Sequence, residues 1–217
     1  MKTEKRLQAA NLSCVRQHRF LFSPISFELH SSQLLIVEGP NGSGKSSLLR
    51  LLSGLSTSPQ GTIFWQNTPI QSLRSIYGNY LHYISHLNGI KPGLTVIENL
   101  QLASVLSLTE DSLHPTYDQA AILEHLQLSK HKNSLAKFLS AGQRRRLALA
   151  KLFLFSKPLW ILDEPLTALD ATSQTLFLSH LQNHLHTGGS AIISSHHALH
   201  FPAFAEMNIQ TVVLNPC

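Results

Sequence analysis

Apolar and polar residues are spaced in two ways along the chain, and each spacing predicts a different kind of element. Residues 7–29 alternate loosely, which predicts short antiparallel strands. Uninterrupted apolar runs at Leu34–Val37 and Leu159–Leu162 predict strands that are buried on both faces. From Thr95 to about Lys137 the apolar positions recur at helical spacing, so this part predicts a group of helices.

The segments on either side extend this pattern. Further strands are predicted over residues 61–65, 81–85, 191–194 and 209–214. Helices are predicted from residue 46 to near 54, over 141–155 and over 171–185. Strands that alternate with helices predict an α/β fold. We expect a single domain over 1–217, with an α/β core and an N-terminal antiparallel β subdomain in about 1–87 and 156–217, and an inserted α-helical subdomain in about 88–155.

A glycine-rich segment connects the first buried strand to the helix that follows it. It reads Gly39-Pro40-Asn41-Gly42-Ser43-Gly44-Lys45-Ser46, followed by Ser47, and it satisfies the pattern G-x-x-x-x-G-K-[ST]. Glycines let backbone N–H groups converge on an anion, and the helix N-terminus adds further N–H groups and a positive dipole end. The segment therefore predicts a phosphate-binding loop in which Lys45 reaches the β- and γ-phosphates of ATP and Ser46 is a ligand of Mg²⁺.

Two adjacent carboxylates follow the second buried strand. Asp163 and Glu164 come directly after Leu159–Leu162, and ligands of parallel α/β sheets bind at the carboxyl ends of the strands. This position predicts that Asp163 holds Mg²⁺, directly or through water, and that Glu164 orients the attacking water or accepts its proton.

Composition and charge exclude some classes of protein and favour others. Hydrophobic residues make up 43% of the chain, which excludes a disordered protein, and the apolar runs are too short to span a bilayer. No apolar region follows the N-terminal residues, and two cysteines make no metal pattern, so we expect a reducing cytosol. The net charge of +5 favours an acidic partner, either nucleic acid or an anionic membrane surface. The densest basic cluster, Arg144-Arg145-Arg146, is expected on a solvated helix surface, because consecutive helical positions diverge by about 100°.

A third motif lies between the phosphate loop and the carboxylates. Leu139-Ser140-Ala141-Gly142-Gln143 nearly matches the L-S-G-G-Q signature of ABC ATPases, and Ala168-Leu169-Asp170 and His196 follow in the order of that family. Over almost its whole length the chain resembles ABC ATPases, so its α/β core is expected to be a P-loop NTPase core of ABC type.

This resemblance implies a homodimer that holds each ATP between the phosphate loop of one subunit and the signature of the other. Ser140, Gly142 and Gln143 would then bind the γ-phosphate across the interface. Asp170 would contact the opposite subunit, and His196 would hydrogen-bond the γ-phosphate and organise Glu164.

Two positions depart from the family pattern. His86 replaces the usual glutamine, and because Mg²⁺ does not favour imidazole, we expect His86 to contact water or the γ-phosphate. Arg16 falls near the place of the aromatic residue that stacks on adenine. A guanidinium can stack on a purine, and an ordinary strand-surface arginine is the alternative.

Within the family, the segments around residues 85–91, 94–100 and 139–148 are similar to the ATP-binding subunits of the bacterial haem exporters of cytochrome c maturation. The resemblance implies work at the cytoplasmic face of the inner membrane with separate transmembrane subunits, where ATP turnover drives release of haem with its chaperone. Residues 88–100 would dock a membrane partner, or their apolar side chains fill the helical core. We expect neither direct haem binding nor direct nucleic-acid binding.

Three other functions remain open at the level of sequence. The chain could serve another ABC exporter, of the lipoprotein-release or cell-division type. It could be a soluble ABC ATPase that acts on nucleic acid or ribosomes. It could also bind ATP without hydrolysing it, although Glu164 and His196 argue against this.

Overall fold

The computed structural model describes residues 4–17, 19–107, 118–195 and 208–215. These residues form two compact units. The first unit comprises the described parts of Met1–Tyr83, Pro158–Glu164 and His180–Cys217. The second comprises the described parts of Ile84–Lys157 and Pro165–Ser179, so it extends beyond the predicted helical segment of 88–155. The predicted single domain stays a prediction.

The strands lie close to the positions that the apolar pattern predicts. In chain order they are β1 (Lys5–Arg16), β2 (Arg19–His30), β3 (Gln33–Glu38), β4 (Thr62–Trp65), β5 (Thr68–Pro69), β6 (Leu81–Ile84), β7 (Leu159–Asp163), β8 (Ser190–Ser195) and β9 (Asn208–Val213). The short strands expected over residues 7–29 are two long ones, and the short strand β5 was not among the predicted strands.

The strands form two sheets. The first has the order β2-β1-β4-β5, and β1 pairs antiparallel with both β2 and β4. The second has the order β6-β7-β8-β3-β9, and its β3 pairs parallel with β8 and β9 while β7 pairs parallel with β8. Strands β3, β7 and β8 are buried along nearly their whole length, which explains their continuous apolar sequence. The predicted α/β fold with an antiparallel N-terminal sheet is confirmed.

The helices and 3₁₀ turns complete the fold. The helices are α1 (Lys45–Leu52), α2 (Ile70–Leu73), α3 (Val96–Ser107), α4 (Gln119–His125), α5 (Ala141–Leu149), α6 (Lys151–Leu154) and α7 (Ala171–His186). The 3₁₀ turns are Arg74–Tyr80, Ser129–His131 and Ala136–Phe138. The described residues contain no helix that is long and apolar enough to cross a membrane.

Each unit has its own apolar core. In the first, α1 contributes Leu48 and Leu49, which pack with strand residues such as Val37, Ile161 and Ile192. In the second, α3 contributes Val96 and Leu100 to a core that also holds residues of α4, α5 and α6. The interpretation of Val96 and Leu100 as core residues is therefore confirmed.

The helix predicted over 141–155 is wrong in one detail, because it is broken between α5 and α6. The N–H of Ala150 still donates to the carbonyl of Arg146, but the N–H of Phe153 donates to Ala150, three residues back. This tighter bond ends the regular helix without a proline or glycine, so the local sequence carries no signal for it.

An aromatic stack supports β7 from the side of α7. The ring of His184 stacks on Trp160, with centroids 3.9 Å apart and planes inclined by 7°. His184 Nε2 lies 3.2 Å from the carbonyl oxygen of Ser190, and a side chain at Gly189 would overlap the imidazole. Burial is the main reason why the pKa of His184 falls to about 4. The stack therefore requires a neutral imidazole.

Protonation of His184 should make folding stability depend on pH. The unfolded chain protonates this histidine near pH 6.5 and the folded chain only near 4, so the unfolded state binds more protons between these values. The free energy of unfolding should fall as the pH decreases from about 6.5 towards 4. Thermal melts at pH 7, 6 and 5 measure this effect. Between pH 7 and pH 5 the Tm of His184→Phe should decrease less than that of wild type. The Tm of His186→Gln, at an exposed position outside the stack, should decrease as much as that of wild type. An unchanged pH dependence in His184→Phe would contradict this account.

Candidate nucleotide-binding site

The glycine-rich loop lies between the end of β3 and the start of α1. Gly44 occupies the N-cap of α1 with φ of 97°, and a Cβ there would lie 2.8 Å from the ring of Phe22. A Cβ at Gly39 would lie 2.6 Å from Ser43 Oγ and 2.7 Å from the carbonyl oxygen of Leu214. Glycine is thus required at both positions, for conformation and for space. The first N–H groups of α1 have no acceptor within the helix, and such groups at a helix N-terminus can bind an anion.

Lys45 anchors the middle of this loop. Its Nζ donates to the carbonyl oxygens of Gly39, at 2.6 Å, and Pro40, at 3.0 Å, and the residue is only 6% exposed. These two hydrogen bonds hold the ammonium group against the turn of the loop. A fixed positive charge beside convergent N–H groups is suited to bind phosphate.

A polar cleft of about 570 Å³ joins the phosphate loop to the end of β7. Its lining consists of Arg16, Leu21, Asn41, Gly42, Gly44, Lys45, Ser46, Ser47 and Glu164. The structure therefore brings Glu164 and Arg16 to the same cleft as the loop.

The carboxylate of Asp163 and the backbone of Glu164 are held by one hydroxyl group of the neighbouring strand. Ser194 of β8 pairs with Asp163 of β7, and its Oγ donates to Asp163 Oδ1 at 2.6 Å. The same Oγ accepts from the backbone N–H of Glu164 at 3.0 Å. Glu164 has φ of 48°, a conformation that residues other than glycine adopt at a cost. One buried hydroxyl therefore fixes both the carboxylate of Asp163 and the backbone turn of Glu164.

The negative charge of the buried Asp163 changes the pKa of a neighbouring side chain. Asp163 is 2% exposed. Burial and, secondly, the negative charge of Asp163 raise the pKa of Tyr83 to about 12.

Sequence reasoning did not identify Ser194 as a site residue. Its signal is weak, because β8 also contains Ser190 and Ser195 and nothing local distinguishes the hydroxyl at position 194. Only the parallel register of β7 and β8 shows that it meets Asp163.

The signature lies at the start of α5 and forms a capping box. Ser140 Oγ accepts from the N–H of Gln143 at 3.2 Å, and the Gln143 side chain accepts from the N–H of Ser140 at 2.8 Å. Gln143 Nε2 also lies 2.9 Å from His131 Nε2. The side chain of Gln143 is thus engaged within its own unit, whereas Ser140 is exposed.

The second glycine of the signature pattern is required by a close contact. A Cβ at Gly142 would lie 2.7 Å from the carbonyl oxygen of Ala168, which has φ of 64°. Ala141, in contrast, is exposed. This difference explains why alanine is tolerated at 141 and glycine is kept at 142.

Arg145 contradicts the expectation that the arginine cluster is solvated. It is 3% exposed. Its guanidinium donates to the carbonyl oxygens of Pro165, at 3.2 Å, and Ser85, at 3.1 Å, and to Asn88 Oδ1 at 2.6 Å. Three fixed acceptors compensate the burial of the charge, which local helical geometry could not indicate. Arg145 thereby fixes the two sides of the loop that contains His86.

The remaining predicted residues lie in different places. Asp170 is exposed at the start of α7, where its carboxylate accepts from the N–H of Ser173 at 2.8 Å. The hydrogen bonds to Ser173 lower the pKa of Asp170. His86 is exposed in the second unit. His196 lies outside the described residues.

Comparisons with known proteins agree with this geometry. A family model of ABC transporters matches residues 22–167. The chain is 41% identical over 204 residues to a cytochrome c biogenesis ATP-binding export protein CcmA of Nitrosospira multiformis, an alignment that covers 94% of this chain and 98% of the relative. A protein of the same name from Nitrosomonas europaea is 45% identical over 194 residues, which cover 89% of each chain.

A solved structure, described as the ATP-binding subunit of an ABC transporter, superimposes with a TM-score of 0.82. The match covers 96% of this chain and 85% of that chain at 21% identity, so it shows the fold alone. The family model and the two relatives show more: the chain belongs to the ABC transporter family, within it to the cytochrome c biogenesis ATP-binding export proteins, and is an ATP-hydrolysing subunit of such a transporter.

Proposed function

We propose that the chain hydrolyses MgATP in the cleft between the phosphate loop and Glu164, as one half of a nucleotide-bridged homodimer that drives haem export for cytochrome c maturation. The single observation that carries the catalytic part is that Glu164 lines the same cleft as Lys45 and Ser46. A phosphate-binding loop with a carboxylate beside it has the groups needed to hold a triphosphate and to direct a water molecule at it.

The residues near the cleft fit a magnesium ion. The Ser46 hydroxyl lines the cleft and Asp163 ends β7, and hydroxyl and carboxylate oxygens are hard ligands of the kind that Mg²⁺ prefers. Among the described residues no group of three or more His, Cys, Asp and Glu side chains could form a metal cage. This agrees with an ion held by few protein ligands together with phosphates and water. When bound, the ion would neutralise charge on the β- and γ-phosphates.

We assign the roles within the cleft as follows. Lys45 and the loop N–H groups hold the phosphates, and Ser47 at the start of α1 extends this set. Glu164 orients the attacking water and accepts its proton. Ser194 is a positioning residue, because it holds Asp163 and the backbone of Glu164 in one arrangement. His196 is proposed to hydrogen-bond the γ-phosphate, and His86 to contact water or phosphate.

The dimer is supported by what the second unit exposes. Ser140 is exposed at the N-terminus of α5, where helix N–H groups and the dipole favour an anion. Gly142 adds a backbone without a side chain, Gln143 fixes the cap, and Asp170 is exposed beside Ser173. We propose that these groups complete the pocket of a second copy.

Membrane partners, cargo and location follow from the family. The relatives are named as export proteins of cytochrome c biogenesis. We propose that separate transmembrane subunits bind this chain at the cytoplasmic face of the bacterial inner membrane. In this complex ATP turnover releases haem with its chaperone, and the haem does not bind this chain directly. We propose residues 88–100 as part of the docking surface.

Replacing the proposed base should trap the dimer. Glu164→Gln should keep ATP binding but reduce ATP turnover at least about 100-fold, because the amide cannot accept a proton. Size-exclusion chromatography with light scattering should then detect an ATP-dependent dimer. A second substitution, Ser140→Arg, should abolish this dimer, whereas Ser129→Arg, at another exposed serine of the same unit, should not. Turnover of Glu164→Gln at the wild-type rate would disprove the assignment of the base.

Removing the Ser194 hydroxyl should affect the chemical step. Ser194→Ala leaves Asp163 Oδ1 and the Glu164 N–H without this partner, which should lower the free energy of unfolding by about 1–3 kcal/mol. Because the substitution also releases the turn that positions Glu164, kcat should fall about 10-fold or more, a loss of about 1.4 kcal/mol in transition-state stabilisation. The Mg²⁺ concentration for half-maximal activity should rise, and Ser194→Thr should restore part of both. A change in Tm with unchanged kcat and Mg²⁺ dependence would show that Ser194 is only structural.

Arg16 offers a test of base recognition. If its guanidinium stacks on adenine, Arg16→Ala should weaken the affinity for a fluorescent ATP analogue several-fold, since such contacts contribute about 0.5–2 kcal/mol. Arg19→Ala, another strand-surface arginine, is the control. Equal affinities in wild type and Arg16→Ala would favour the interpretation of Arg16 as an ordinary surface residue.

A further inference from the structure

An exposed aromatic side chain lies directly before the signature. Phe138 ends the 3₁₀ turn Ala136–Phe138, two residues before Ser140, and it is 73% exposed. Leu139, between them, is buried and has φ of −72° and ψ of 147°, so the chain is extended at this point. Side chains two positions apart in an extended segment lie on the same face. Phe138 and Ser140 therefore share the exposed face of this segment, while Leu139 belongs to the core of the unit.

Phe138 is held in a fixed position although its side chain is exposed. Its backbone N–H donates to the carbonyl oxygen of Leu135 at 3.0 Å. The N–H of the preceding Lys137 donates to the carbonyl oxygen of Pro92 at 3.1 Å. The ammonium group of Lys137 lies over one face of the Phe138 ring, with Nζ 5.0 Å from the ring centroid. The ring is thus preorganised, and its opposite face is the one that a flat ligand could cover.

The nucleotide-binding cleft of the first unit lacks an aromatic ring for the adenine. Among the described residues, none that line this cleft is aromatic. Arg16 lines the cleft near the place where the family has an aromatic residue. A purine has two flat faces, and stacking on an aromatic side chain stabilises each of them. An ATP molecule bound in the cleft therefore keeps at least one face of its base without an aromatic partner from the same subunit.

We propose that Phe138 belongs to the base-binding subsite of a second copy, where its ring stacks on the adenine of the ATP whose γ-phosphate Ser140 binds. The spacing agrees with this arrangement, because two extended residues separate Phe138 from Ser140 by roughly 7 Å. Adenine is separated from the γ-phosphate by the ribose and the other two phosphates, so the two ends of ATP need contacts that are spaced along the chain. The inference rests on the proposed homodimer and adds to it a residue that recognises the base.

The position of the ring in the opposite copy has two consequences. Phe138 should affect the closure of the dimer but not the first binding of ATP to the phosphate loop. Closure should also depend on the base, because a purine presents a larger stacking face than a pyrimidine. A dimer contains two such contacts, so the loss of the ring should affect closure twice.

The test measures dimer formation in the Glu164→Gln background, which should accumulate the nucleotide-bound dimer. Light scattering gives the concentrations of MgATP and MgUTP that produce half of the dimer. Phe138→Ala should raise the concentration for ATP at least about tenfold, since stacking of one base contributes roughly this factor. The rise for UTP should be smaller, so the preference for ATP decreases. Phe138→Tyr should keep the parent values, and so should the control Leu106→Ala, at another exposed apolar position of the same unit.

A second measurement tests whether the contact acts across the interface. The Ser140→Arg variant should not form the dimer, so it reports the binding of ATP to a single subunit. The affinity of this variant for a fluorescent ATP analogue should be the same with and without Phe138→Ala. A weaker affinity with Phe138→Ala would overturn the proposal, because the ring would then act within its own subunit.

Two further outcomes would overturn the assignment of Phe138 to the base. An equal loss of dimer formation with ATP and UTP would show that the ring packs against protein at the interface. Unchanged dimer formation in Phe138→Ala would show that the ring has no contact there. If Glu164→Gln with Phe138 intact formed no ATP-dependent dimer at all, the proposed homodimer itself would be refuted, which is a separate result.

Discussion

The parallel, in-register pairing of β7, β8 and β3 is the constraint on which the nucleotide site depends. Asp163 pairs with Ser194, and Ser194 pairs with Val37, so one row of residues crosses all three strands. The carboxyl ends of these strands consequently reach the same edge of the sheet. At that edge the chain leaves β3 for the phosphate loop and leaves β7 for Glu164. A shift of register by one residue would turn Asp163 to the other face and separate it from the Ser194 hydroxyl.

The two units use different physical means to present charged or polar groups. In the first, backbone N–H groups and the Lys45 ammonium converge, and buried hydroxyl and carboxylate groups satisfy one another. In the second, α5 presents its N-terminus through a capping box, while the buried Arg145 connects backbone carbonyls that are distant in sequence. Both arrangements fix backbone segments that are not themselves regular secondary structure. Preorganised polar groups of this kind are the main requirement for stabilising a charged transition state.

The sequence predicted the parts of the site that depend on local pattern. The phosphate loop, the buried strands and the carboxylates after β7 could be found because glycine spacing and apolar runs report local geometry. The contacts of Arg145 and Ser194 could not, since each joins segments far apart in the chain: position 145 to 85 and 165, and position 194 to 163. The break before α6 was missed because Ala150 is a strong helix former, so the local sequence favours a continuous helix. Whether His196 completes the site remains a prediction.

The contact between Gly142 and Ala168 has a mechanical consequence. Because the backbone at 142 lies against the Ala168 carbonyl with no room for a methyl group, the start of α5 cannot tilt towards that segment without pushing it. Ala168 is two residues before Asp170, whose carboxylate caps α7. The signature and the cap of α7 are therefore mechanically coupled, because a displacement of one presses on the segment that leads to the other. A methyl group added at position 142 would force these two segments apart.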